Sequence, residues 1–210
     1  MLPQIILAST SARRRRLLGL LGVPFDVAAP GVAEDLLPGE SPPDAVVRLA
    51  RLKAEAVAAA HPEAVIVACD TDVADGDMLI GKPADADDAV RILRGLRGGQ
   101  HMVYSGVAVA RDGQIWSELV ATRVTMRDYS EEEIAAYVAT GDPLDKAGAY
   151  AVQHEDFTPV ERLEGCYASV VGFPLCAVRR LLIRAGVTLP PSVVEGCDPA
   201  RVCAVPRETD

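Results

Sequence analysis

An apolar run, Ile5-Ile6-Leu7-Ala8, gives way to Ser9-Thr10-Ser11, and after Ala12 residues 13–16 are all arginine before leucines resume at helical spacing. That order predicts a buried strand, a tight turn and a helix whose first turn is cationic. The N-terminus of a helix already carries partial positive charge, so arginines there oppose the local field unless an anion joins them. Free backbone N–H groups, the hydroxyls of Ser9 and Ser11 and the forks of Arg13 and Arg14, converging on one point, would bind phosphate. Arg15 and Arg16 read as a solvated helix face.

A second set of charges lies further along. The run 64–69 (AVIVAC) is apolar throughout, as a strand buried on both faces would be, and Asp70 follows it directly, ahead of Thr71 and Asp72. A carboxylate at the end of such a strand is held at the mouth of a cleft, where it would bind Mg²⁺ or take a proton from an attacking water; alone, it could equally cap a turn. Lys82 stands between Gly81 and Pro83, a rigid loop offering one point charge to a phosphate. Glu34 lies in the acidic loop 30–43 and is a candidate metal ligand, with Asp35, Glu40 and Asp44 as rivals. Lys53 sits beside the apolar stripe of a helix and, on spacing alone, reads as a snorkelling lysine. The segment 145–153 (DKAGAYAVQ) joins the opposite charges of Asp145 and Lys146 to small residues and a closing amide, Gln153, whose donor and acceptor suit the edge of a base.

Composition narrows the partners. The chain has 210 residues, half of them hydrophobic, and a net charge of −9. A basic nucleic-acid surface does not fit that balance, so the local arginine cluster points to a small anion rather than a polymer. No run approaches the ~18 apolar residues of a membrane span, and no cationic segment precedes a long apolar one, so neither a membrane nor a signal peptide is expected and a cytoplasmic location is. The five cysteines (Cys69, Cys166, Cys176, Cys197, Cys203) match no zinc signature and are expected as free thiols. His61, His101 and His154 match no metal spacing. There is no G-x-x-x-x-G-K-[ST] phosphate loop, no G-x-S-x-G elbow and no G-x-G-x-x-G after the first strand, which sets aside covalent catalysis and a dinucleotide coenzyme.

The elements that must position these residues follow from periodicity. Strands are expected at 4–8, 24–27 and 64–69, and as a hairpin of 102–110 and 115–126 turning at Asp112-Gly113. Helices are expected at 12–21, 43–60, 85–97, from Ser130 (N-cap, with Glu133 completing a capping box) to Gly141, and at 174–185. The fold class is α/β, a mixed twisted sheet with flanking helices. Residues 1–186 are expected to form one catalytic domain and 187–210 a loosely ordered tail.

Seven short segments in this order resemble the Maf family of nucleoside triphosphate pyrophosphatases, the septum-formation-inhibitor-like proteins. They are Ser9-Thr10-Ser11-Ala12-Arg13-Arg14, Leu49-Ala50-Arg51-Leu52-Lys53-Ala54, Asp70-Thr71, Gly81-Lys82-Pro83, and the segments 101–107, 145–153 and 170–175. The resemblance covers about 5–185. It implies an elongated mixed sheet with two lobes around a cleft, cleavage of a nucleoside triphosphate to monophosphate and pyrophosphate, a divalent cation (Mg²⁺ or Mn²⁺) and a homodimer. Gln153 places the chain nearer the branch acting on dTTP and UTP than the one acting on 7-methyl-GTP. By the same resemblance Asp70 is the base and, with Glu34, a metal ligand. Arg13, Arg14, Lys53 and Lys82 hold the triphosphate, Ser9, Ser11 and Lys146 assist, and Arg13, Thr71 and Gln153 reach the base. Several positions depart from the family pattern: Ala12 for proline, Asp72 for an aliphatic residue, Met126 for an aromatic, Asp142 for Glu and Phe173 for Leu. The rival readings are a pyrophosphatase for modified purine nucleotides and a non-catalytic nucleotide-binding regulator of septum formation.

Overall fold

The computed structural model describes residues 3–190. Its centre is a seven-stranded sheet in which one long strand, β3 (Val65–Asp75), belongs to two different halves. β1 (Ile5–Leu7) pairs in parallel with β2 (Asp26–Val27) and with the start of β3, Leu7 opposite Val67. The far end of β3 folds back antiparallel on β4 (Met78–Ile80), Val73 opposite Ile80. The other edge of β3 is covered from Ile66 to Ala74 by β5 (Gln100–Arg111), which turns through Asp112-Gly113 into β6 (Gln114–Met126), itself paired with β7 (Val160–Glu164). β1 and β4 therefore share one edge of β3, and between Val67 and Val73 no strand lies on that edge.

Helices cover both faces. α1 (Ala12–Gly19), the short α5 (Tyr167–Val171) and α6 (Leu175–Arg184) pack on one face. There Leu17, Leu18, Phe173, Val178 and Leu182 meet Ile5, Leu7, Val65, Val67 and Cys69. α2 (Pro42–Ala60) covers the other, where Ala50, Ala54 and Val57 meet Ile6, Ile66, Ala68 and Ala108. Beyond the gap a separate core forms where α3 (Ala86–Leu96) and α4 (Glu131–Ala139) enclose Val73, Val103, Tyr129, Tyr137 and Phe157. The molecule thus has two lobes threaded by β3 and β5. No helix among the described residues is long and apolar enough to cross a membrane.

Most elements lie where periodicity places them, and the capping box of Ser130 and Glu133 is present. The strand expected to stop at Cys69 instead continues to Asp75, because β5 goes on pairing past it, with Asp70 opposite Gly106 and Thr71 opposite Ser105. The change from apolar to polar residues marks the gap rather than the strand's end. β7, α5 and the paired 3₁₀ turns Asp142–Asp145 and Ala147–Ala149 are not anticipated by periodicity. β7 reads Val-Glu-Arg-Leu-Glu and is mostly exposed, so little apolar alternation announces it. The tail expected from 187 begins with Val187 packed into the first core, and residues 191–210 lie outside the described residues. Cys69 and Cys166 are free, whereas Cys176 is disulfide-bonded, against the expectation of free thiols throughout.

Small residues let α2 lie directly on the sheet. The closest approach is at Gly106, where an added Cβ would stand 2.1 Å from the Val46 carbonyl oxygen and 2.7 Å from the Val47 nitrogen. Both are helix backbone and cannot swing aside. Gly106→Ala is therefore expected to destabilise the fold by at least about 3 kcal/mol, the upper range for overpacking, as read by urea unfolding. Gly95→Ala, at a position where nothing lies within 4 Å of an added Cβ, is the control and should not destabilise.

Candidate active site

The gap in β3 opens onto a cavity of about 510 Å³, within the size range of nucleotide-sized ligand sites. Every residue singled out above, Ser9, Ser11, Arg13, Arg14, Glu34, Lys53, Asp70, Thr71, Lys82, Lys146 and Gln153, lines it. Side chains alternate along β3, so its two faces feed the cavity separately. Residues 66 and 68 face α2, and Asp70 follows them; residues 65, 67 and 69 face α1 and α6, and Thr71 follows those.

On the α2 face, Val46, Ala50, Lys53, Ala54 and Val57 fall on one buried helical stripe. Lys53 does not snorkel to water: it is 4% exposed, and its Nζ donates to Asp70 Oδ1 at 2.5 Å and to Glu34 Oε2 at 2.6 Å. Two of the rivals of Glu34, Glu40 and Asp44, have their carboxylates engaged elsewhere, and Asp35 is held by its backbone. Glu40 accepts from Arg48 Nε and Nη2, Asp44 accepts from the Ser41 hydroxyl at the start of α2, and the Asp35 carbonyl accepts from Arg48. Arg48, which sequence reading passed over, ties the acidic loop to α2 and so sets where Glu34 lies.

On the opposite face, Ser11 caps α1 by accepting from the Arg14 N–H, Ser9 Oγ accepts from the Ser11 N–H, and no acid occupies the first helical turn. In this network both hydroxyls act as acceptors, which leaves their protons for an anion. Arg14 anchors its Nε on the Gly172 carbonyl at 3.0 Å, and the same carbonyl accepts from the Thr71 hydroxyl. Thr71 also bonds Ser105 at 2.8 Å, so its hydroxyl is tied into the protein. Arg13 meets Asp145 Oδ2 at 2.9 Å. Lys146 spends its three N–H donors on the Asp142 carbonyl, Asp142 Oδ1 and Asp145 Oδ1, which makes it a brace rather than a free cation. Burial pushes the carboxyls of Asp142 and Asp145 up, but their bonds to Lys146, with Tyr137 and Arg13 respectively, outweigh it and hold both low. Lys82 and Gln153 make no side-chain hydrogen bond among the described residues. Sequence reading notes Asp145 only as the charge opposite Lys146 and gives it no role in the site, and it has no signal for Gly172, since a backbone carbonyl leaves no mark in composition.

No cluster of three or more His, Cys, Asp or Glu among the described residues could hold a metal ion. Two carboxylates, Glu34 and Asp70, do converge on one point, the Lys53 ammonium. Two hard oxygen donors, with substrate phosphates to complete the shell, are the usual protein share of a Mg²⁺ site, so the residues present fit such a cation.

The profile of the family described as Maf-like protein matches residues 4–185. The chain belongs to this family. Relatives named dTTP/UTP pyrophosphatase are 47% identical in Anaeromyxobacter dehalogenans (90% of this chain, 98% of that one) and 47% identical in Deinococcus radiodurans (89% and 95%). Another of that name, from Geobacter sulfurreducens, is 48% identical (87% and 97%). A solved structure titled nucleoside-triphosphatase / dITP/XTP pyrophosphatase, from Mycobacterium abscessus, is similar over 60% of this chain and 75% of that one. Its TM-score is 0.38 at 17% identity, a distant likeness.

Asp72, two residues beyond Asp70 on β3, is half-buried. Burial pushes its carboxyl up to about 6, reinforced by Asp70 and Glu34 and opposed by the Val73 N–H and Lys82. Its folded-state value lies above the ordinary 3.8, so the folded state favours the protonated acid, and stability present below about pH 4 is lost as pH rises through 6. Asp72→Asn is expected to be more stable than the native chain by about 2 kcal/mol at pH 8 and no more stable at pH 4, as urea unfolding in a chelator would show.

Proposed function

We propose that this chain hydrolyses dTTP and UTP between the α and β phosphates, releasing the nucleoside monophosphate and pyrophosphate. The observation that carries this reading is a single cavity in which Arg13, Arg14, Lys53, Lys82 and Lys146 surround one buried acid, Asp70, in a chain whose net charge is −9. The names of relatives close to half identical along nearly their whole length support it.

The chemistry is positioning and electrostatics. Lys82, which makes no side-chain hydrogen bond among the described residues, and the terminal nitrogens of Arg14, whose Nε is anchored, bind phosphate oxygens. They stabilise the charge that builds up as the phosphoanhydride breaks. The turn N–H groups and the hydroxyls of Ser9 and Ser11 bind further oxygens at the start of α1. Arg13 is held in place by Asp145, which Lys146 braces. Lys53 holds Asp70 Oδ1, so Asp70 presents Oδ2 to a water, orients it toward phosphorus and takes its proton. Glu34 and Asp70 would hold a Mg²⁺ or Mn²⁺ ion, which when bound neutralises phosphate charge and polarises the oxygen it touches. Gln153 offers its free amide to the edge of the base. Residues 1–186 act as one catalytic unit, since both lobes contribute to the cavity, and the cytoplasm is where the substrates are made.

Pyrophosphate release measured over canonical and modified triphosphates, with and without Mg²⁺, tests the reading. Pyrimidine triphosphates should lead; a preference for modified purines, or binding without release, would overturn it. Asp70→Asn and Lys82→Ala should each lower kcat by about a hundredfold or more while the far-UV dichroism of the fold persists. Near-native turnover in Asp70→Asn would remove Asp70 as the base. Gln153→Ala should narrow the UTP-to-GTP ratio of kcat/KM by about tenfold, one base contact's worth of discrimination.

A further inference from the structure

We propose that His101 is a positioning residue of this cleft: through its bond to Tyr150 it sets the backbone that carries Gln153 on one side and Lys146 on the other. The inference rests on the pyrophosphatase reading of the same cavity and names a residue outside it.

His101 lies on β5, 3% exposed, and is absent from the cavity wall. Its Nε2 lies 2.8 Å from the Tyr150 hydroxyl, with the two rings edge to face at 5.5 Å. Tyr150 is 5% exposed and does form part of the wall. Just before it the backbone takes two successive left-handed residues, Gly148 (φ 72°) and Ala149 (φ 58°). Ala149 has a Cβ and is strained there, so the conformation persists only if its surroundings impose it. The Tyr150 ring is that surrounding: an added Cβ on Gly148 would stand 3.2 Å from Tyr150 Cε1 and 3.0 Å from Val73 Cγ2. The Gly148 N–H donates to the Gly81 carbonyl at 3.1 Å, which couples the same backbone to the loop of Lys82. On the far side the Ala151 N–H donates to the Tyr137 hydroxyl, which itself donates to Asp142. The segment from 142 to 153 is thus pinned by two tyrosine hydroxyls, and His101 holds one of them.

Packing alone does not account for a histidine here. Its Nδ1 is buried without a hydrogen-bond partner among the described residues, a cost that a phenylalanine of similar shape would not carry. Burial lowers its pKa to about 4, opposed by Asp75, so the ring is neutral at ordinary pH and acts as a hydrogen-bonding partner rather than a charge. What a phenylalanine would forfeit is the bond to Tyr150.

The test uses His101→Phe, Tyr150→Phe and the double variant in the full chain, with His101→Gln as the conservative replacement that retains a side-chain nitrogen. Tyr150→Phe removes one oxygen and keeps the ring, so it is the variant most certain to fold. Three quantities are read: KM and kcat for UTP, the UTP-to-GTP ratio of kcat/KM, and the affinity for α,β-methylene-UTP by calorimetry, which needs no turnover. Displacing a binding group by a fraction of an ångström to 1 Å costs on the order of ten- to a hundredfold. Each single variant should raise KM for UTP and weaken the analogue by about tenfold, narrow the UTP-to-GTP ratio, and leave kcat within about threefold. The double variant should be no worse than the worse single, because both remove one bond. His101→Gln should recover most of the loss. Variants that only melt earlier, with KM, ratio and analogue affinity unchanged, or single effects that add in full in the double, would overturn the assignment. A native chain that binds the analogue while the variants bind it equally well defeats this inference alone; a native chain that binds no triphosphate defeats the proposed function and this inference with it.

Discussion

The ion pair between Lys53 and Asp70 is the constraint on which the rest of the site depends. An ammonium and a carboxylate this deeply buried are tolerable only as partners: removing Lys53 would leave the Asp70 carboxylate uncompensated, at a cost of about 3–5 kcal/mol, whereas Lys53 without Asp70 keeps Glu34. The pair forms only because α2 lies against the sheet without a layer of side chains between them. Gly106, the cross-strand neighbour of Asp70, is where that contact is closest, backbone on backbone. The alanines at 50, 54, 68 and 108 keep the same seam thin. The Lys53 ammonium also holds Glu34, and Arg48 fastens the rest of that loop to α2. One short approach between a helix and a strand thus locates two carboxylates and a cation.

The second constraint is the interrupted edge of β3. Parallel pairing with β1 ends at Val67 and antiparallel pairing with β4 resumes at Val73, and the strand between is held only by β5. Because side chains alternate, consecutive residues there serve opposite faces, Asp70 toward α2 and Thr71 toward α1 and α5. A ligand entering at the gap meets both sets at once. This is how the N-terminus of α1 and the middle of α2, on opposite sides of the sheet, come to line one cavity, with five cationic side chains against three acidic ones.

The cations differ in how much of their bonding capacity remains. Lys146 is saturated, and Arg13 is shared with Asp145. Arg14 is anchored by one nitrogen, and Lys82 is unpartnered among the described residues. Charge near a ligand and charge available to it are therefore distinct properties, and only the hydrogen-bond inventory separates them. Lys146 and Asp145 shape the wall, and Lys82 and Arg14 retain the capacity to bind.

Local sequence was sufficient for much of this. The apolar run before Asp70, the Ser-Thr-Ser turn ahead of the arginines, the capping box at Ser130 and the hairpin at Asp112-Gly113 are each written in residues close together along the chain, because their causes act over one turn or one strand. The list of candidate residues came partly from such patterns and partly from the resemblance of seven short motifs, and all of them line one cavity. What no local pattern encoded was the partner of each. Lys53 reads as a snorkelling lysine until the sheet places Asp70 beneath it, Lys146 reads only as the charge opposite Asp145 until the 3₁₀ turns bring Asp142 to it as well, and the continuation of β3 past Cys69 depends on β5, some thirty residues away. Side-chain chemistry and short-range geometry were settled by the order of residues alone; burial, pairing and the joining of two sheet faces through a gap were decided by contacts between distant segments, which exist only once the chain has folded.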